Sequence, residues 1–109
     1  QGWHSRYNKK EQRQAEGVGM MLYSKIFTKK GTIEIHVVRQ YEDRDGGDNL
    51  IVHVECAEDR ERQSDWRLPD IYCTHSYGFT EDEQFQMEDY LRNNEAIIWD
   101  DWREARKDA

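Results

Sequence analysis

Proline and cysteine are both scarce: the chain carries one proline, Pro69, and two cysteines, Cys56 and Cys73. Two thiols are too few for a disulfide scaffold, and each sits in an apolar, strand-like run where a reduced, buried side chain is expected. Long hydrophobic runs are missing as well. No stretch approaches the ~20 apolar residues that span a bilayer, and Gln1-Gly2-Trp3-His4-Ser5-Arg6 lacks the apolar segment of a secretory signal. A soluble, cytoplasmic chain with no membrane partner is the expectation. Basic residues are outnumbered, 16 Lys plus Arg against 23 Asp plus Glu, for a formal charge of -7. Such a chain is repelled by nucleic acid and anionic lipid unless its cations cluster, so direct nucleic-acid binding is not expected.

Motifs that announce a cofactor are also lacking. There is no Walker loop, dinucleotide fingerprint, nucleophile elbow or HExxH, and no internal repeat. No cofactor and no metal site are predicted. The 109 residues suit one ordinary domain, and although only 36% are hydrophobic, 13 aromatic residues (Phe 3, Trp 4, Tyr 6) supply large rings for a modest core.

Residues 1–20 hold Arg6, Lys9, Lys10 and Arg13 against Glu11 and Glu16, with glycines at 17 and 19, and read as a flexible arm. Met20-Met21 stands where the apolar pattern begins and offers an alternative start, the preceding residues then being added or upstream sequence. Residues 21–109 are read as one small α+β domain.

Short β-rich runs follow, punctuated by turns. Leu22 to Phe27 and Thr32 to Val37 flank Thr28-Lys29-Lys30-Gly31, which suits a three-residue hairpin loop with Gly31 at positive φ. Asp43 to Asp48 is a turn leading into Leu50 to Cys56, and Ile71 to Tyr77 resembles a fourth strand. Between these, residues 58–70 are almost wholly polar apart from Trp66 and Leu68 and read as a surface loop. Thr80-Glu81-Asp82-Glu83 has the form of a capping box at a helix start. Met87, Leu91, Ile98 and Trp102 then share one helical stripe, which Asn93-Asn94 is able to interrupt. The expected architecture is a meander-like, antiparallel four-stranded sheet with a C-terminal helix packed on one face.

The register of the second hairpin follows from its two apolar sets. Ile33, Ile35 and Val37 are odd, whereas Leu50, Val52, Val54 and Cys56 are even, so odd must pair with even, for example Val37 opposite Val54 and Ile35 opposite Cys56. That sends Glu34, His36, His53 and Glu55 together to the other, wet face. A histidine beside a carboxylate can act as acid or base near neutral pH, and two histidines with a carboxylate can hold a transition metal. This cluster makes a small hydrolase or metal-dependent enzyme the alternative reading. Against it, an amphipathic sheet needs polar residues on its wet side in any case.

Three weaker constellations remain. Cys56, Cys73, His53 and His75 offer zinc donors, but His53 and Cys56 point to opposite faces of a regular strand. A Cys56 to Cys73 disulfide requires their strands to be neighbours. Arg60, Arg62, Trp66 and Arg67 interleave cations with a ring that can stack on bases, yet five acids surround them.

The clearest asymmetry is electrical. Residues 80–109 hold ten acids and four bases, a balance of -6, while the first 47 residues sum to +3. Glu81, Asp82 and Glu83 are favoured locally by the helix dipole. Glu88, Asp89, Glu95, Asp100 and Asp101 lie beside Tyr90, Trp99 and Trp102, and acid with aromatic on one helix suits docking to a basic protein surface. The leading expectation is therefore a non-enzymatic regulator or accessory protein that docks through these eight residues. Its size and charge also suit a phage-encoded inhibitor imitating DNA. A homodimer through an exposed edge strand or through Trp99 and Trp102 is the third possibility.

Overall fold

The computed structural model describes residues 20–107. The expected arm lies, up to residue 19, outside the described residues. Five strands run in sequence order as one antiparallel meander: β1 (Met21–Thr28), β2 (Gly31–Glu42), β3 (Asp48–Cys56), β4 (Asp59–Leu68) and β5 (Tyr72–Tyr77). Among the described residues one helix, the 27-residue α1 (Glu81–Lys107), packs on one face. The α+β architecture and antiparallel sheet match expectation, but there are five strands instead of four.

The extra strand is β4, in the segment expected to be a loop. Its inward positions are Ser64, Trp66 and Leu68, all buried. Serine at one of them hides the period of two. Ser64 is polar yet satisfied, accepting the Trp66 indole N–H at 2.9 Å. Neighbours on both sides complete the backbone pairing of β4, so its polar outer residues need no apolar partner.

Gly31 has φ 134°, as expected of a residue closing the first turn. The loop is nevertheless two residues long, because Thr28 and Gly31 already pair. In the second turn Asp43 Oδ1 accepts the Asp45 and Gly47 N–H groups at 3.0 and 2.9 Å, which explains why an aspartate starts it.

Parity in the second hairpin is as expected, odd against even, but the register is displaced by two residues. Ile33 pairs with Cys56, Ile35 with Val54 and Val37 with Val52. A slip of two keeps every side chain on its face, so apolar patterning cannot distinguish the two registers.

The core lies between this face and α1: Ile35, Val37, Val52, Val54, Leu68, Leu91 and Ile98 are almost inaccessible. Asn93-Asn94 does not break the helix. Asn94 Nδ2 donates to the Tyr90 carbonyl at 2.9 Å, while its Oδ1 accepts the Tyr23 hydroxyl at 3.1 Å, tying α1 to β1. The capping box closes at both ends, with Glu83 N–H donating to Thr80 Oγ1 at 3.1 Å and Thr80 N–H to Glu83 Oε1 at 2.8 Å. Thr80→Ala is expected to cost about 1 kcal/mol, which calorimetry reads as a Tm lowered by about 4–8 °C for a chain of this size. An unchanged Tm would mean that the cap contributes nothing.

Candidate functional site

The outward side of α1 carries most of the expected docking residues, though not all eight serve. Asp89, Asp100 and Asp101 are exposed, whereas Glu88 and Glu95 are half-buried. Three acids are partly neutralised on the helix itself: Glu88 by Arg92 at 2.9 Å, Asp100 by Arg103 at 3.1 Å and Glu104 by Lys107 at 3.9 Å. Such exposed pairs contribute about 0–1 kcal/mol each and open readily. Tyr90 is committed inward, its hydroxyl 2.6 Å from Ser24 Oγ. Trp102 is a correction: it is 3% exposed and donates its indole N–H to Gln40 Oε1 at 2.9 Å, so it belongs to the core and cannot dock a partner.

Trp99 stays half-buried, donating to Glu95 Oε2 at 2.9 Å with Arg103 stacked over its ring. Glu95, Trp99 and Asp100 line a groove of about 590 Å³ with Gln40, Asp48 and Arg106. Sequence reasoning missed two residues of this helix, Phe85 and Ile97, which are 61% and 52% exposed. Both fall outside the Met87/Leu91/Ile98/Trp102 stripe, and that displacement was the available signal.

The opposite sheet face holds the second candidate. The observed register sets Glu34 against Glu55 and His36 against His53. The four do share a face, but Glu34 and His36 are buried, 1% and 0% exposed, instead of lying on a wet surface. Lys25 Nζ lies 3.9 Å from Glu34 Oε2, and Arg60 Nη1 lies 3.9 Å from Glu34 Oε1 while also bonding Glu55. His53 sits between two carboxylates, with Nε2 3.1 Å from Glu55 Oε1 and Nδ1 2.7 Å from Asp65 Oδ1.

Burial decides the proton affinities of the inner pair. It pushes Glu34 up to about 7, against the pull of Lys25 and Arg60. It lowers His36 to about 4, helped by the cations His53, Arg60 and Lys25 and opposed by Glu55. For His53 burial also acts downward, but its hydrogen bonds to Glu55 and Asp65 reverse this and raise its pKa. Burial works against the charge on Glu55, yet His53 and Arg60 hold it below the usual carboxylate range. His36 is thus a neutral imidazole at physiological pH and His53 the more basic ring.

No family model, curated protein or solved structure matches this chain.

General acid–base catalysis needs the working group within hydrogen-bond reach of a substrate. Glu34 and His36 are buried, and neither the groove beside Trp99 nor a second groove of about 630 Å³, between the β1–β2 turn and the start of α1, is lined by any of the four cluster residues. The remaining constellations dissolve. β4 separates the strands of Cys56 and Cys73, both of which are free thiols. Cys56 faces the core while His53 faces away from it, so the four zinc donors do not converge. Trp66 is 2% exposed, Arg60 and Arg62 are held by Glu55 and Glu83, and Arg67 is paired with Asp70, so these four do not form one exposed array. Among the described residues, no helix is long and apolar enough to cross a membrane.

Proposed function

We propose that this chain is a non-enzymatic interaction module that docks a basic protein surface through the outward face of α1. The observation carrying this reading is the placement of Phe85 and Ile97, exposed on a helix whose inward stripe is already filled, among the exposed carboxylates Asp82, Asp89, Asp100 and Asp101. Apolar anchors among mainly acidic side chains, with Arg92 and Arg103 as the interspersed cations, suit a docking patch: the net charge speeds encounter and the anchors slow release. α1 carries nine acids and four bases, a balance of -5, so the partner surface should be basic. The groove beside Trp99 extends the patch toward β3.

The test is affinity capture from the native extract with the wild-type chain, the double variant Asp89→Lys/Asp100→Lys and Phe85→Ala, each at low and high salt. Proteins retained by the wild type at low salt should be lost at high salt and by the double variant, and weakened about tenfold by Phe85→Ala, whose truncation at a central anchor costs 1–2 kcal/mol or more. Circular dichroism should show all three chains equally folded. Identical retention by all three removes α1 as the docking element. Retention only of the chain itself, with light scattering reporting twice the monomer mass, assigns the patch to a homodimer.

A further inference from the structure

We infer that Glu34, His36 and Glu55 form a binding site for one divalent transition-metal ion, with Arg60 as the internal cation that the metal displaces. Their ligand atoms all lie within 4.8 Å of one another. Metal–ligand bonds of about 2.0–2.2 Å in tetrahedral geometry set donors roughly 3.3–3.6 Å apart, so closure requires the donors to draw together by at most about 1.5 Å. Glu34 and His36 are two residues apart on β2 and Glu55 is opposite Glu34 on β3, so two paired strands at the middle of the sheet fix all three. Two carboxylates with one imidazole suit manganese, iron(II), cobalt or zinc.

A second observation points the same way. Glu34 Oε1 is buried and makes no hydrogen bond among the described residues. Arg60 answers Glu55 directly but stands 3.9 Å from this oxygen, as His36 Nε2 does at 3.6 Å. A buried acceptor left without a hydrogen bond is costly, and a bound cation would satisfy it. When both are ionised, carboxylates directly opposed across two strands repel unless a cation lies between them. Arg60 fills that position now and is 23% exposed at its side chain, so it has a route outward. His53, held by Asp65, bonds Glu55 and would orient it as an outer partner orients a ligand.

The experiment is isothermal titration of the chelator-stripped full chain with Zn²⁺, Mn²⁺ and Co²⁺, with the Co²⁺ absorption spectrum as a second readout. One ion should bind per chain. Glu34→Gln and Glu55→Gln should each weaken it by about tenfold or more, and Arg60→Met should tighten it by a similar factor. Asp89→Lys/Asp100→Lys should leave it unchanged, which separates this site from diffuse binding to surface acids. Should Glu34→Gln fail to fold, the variants of the less deeply buried Glu55 and Arg60 decide. Absence of stoichiometric binding by all three ions, equal affinity in Glu55→Gln, or no gain in Arg60→Met would each overturn the proposal.

Discussion

Leu91→Asp is expected to abolish the cooperative thermal transition. Leu91 is fully inaccessible and sits in the helix stripe that faces Ile35, Val52 and Val54 from the sheet. The change forfeits roughly 1.5–3 kcal/mol of apolar burial and places a carboxylate within the apolar core cluster. Burying an unpaired charge adds several kcal/mol more, against a total of about 5–15 kcal/mol for a native protein. Differential scanning calorimetry should show no transition for Leu91→Asp, while Glu104→Ala, on the exposed side, should melt with the wild type. A two-state melt within a few degrees of wild type would mean that α1 does not seal the sheet.

Glu34→Gln should act in the opposite direction, with a gain that grows from about pH 4.5 and is complete above about pH 7. The folded protein holds the Glu34 proton up to about pH 7, compared with an ordinary 4.5. Between those values the native state binds more protons than the unfolded state, so stability falls as pH rises. At 1.36 kcal/mol per pH unit, ionising Glu34 costs the fold at most about 3 kcal/mol by pH 8, and glutamine removes that cost. His36 runs the other way: its folded pKa of about 4 lies below the ordinary 6.5, so its contribution rises with pH across that window. In the wild type the two slopes oppose between about pH 4.5 and 6.5. Urea unfolding in the presence of a chelator should find Glu34→Gln more stable than wild type at pH 8, equal to it near pH 4, and rising between pH 4 and 6.5. A variant less stable at pH 8 would show that the ionised carboxylate is a net favourable partner of Lys25 and Arg60.

Residue order revealed some of this structure and concealed the rest for identifiable reasons. Thr80 with Glu83, Asp43 before its turn, and the alternation in β2 and β3 were legible because each is a local rule acting over a few residues. β4 was not, since its inward Ser64 is polar and its pairing depends on strands from elsewhere in the chain. Parity placed Glu34, His36, His53 and Glu55 on one face but could not tell whether that face was covered. Trp102 satisfied both the inward stripe and the expected docking set, and only packing against Gln40 separates the two. Phe85 and Ile97 are isolated apolar residues outside the inward stripe, and a lone exposed apolar side chain carries no pattern of its own.

The attachment of α1 bears on the order in which the molecule assembles. Among the described residues, strand pairing joins only consecutive strands, so the meander closes through short loops. The helix instead reaches back 66 to 71 residues to meet Ser24 and Tyr23. Contacts between near neighbours form at small entropic expense and distant ones form late. A nascent chain leaving the ribosome would then display the oily side of its sheet to solvent until the final described element emerges. During that interval aggregation competes with completion, and chaperone dependence would be greatest just before the helix is released.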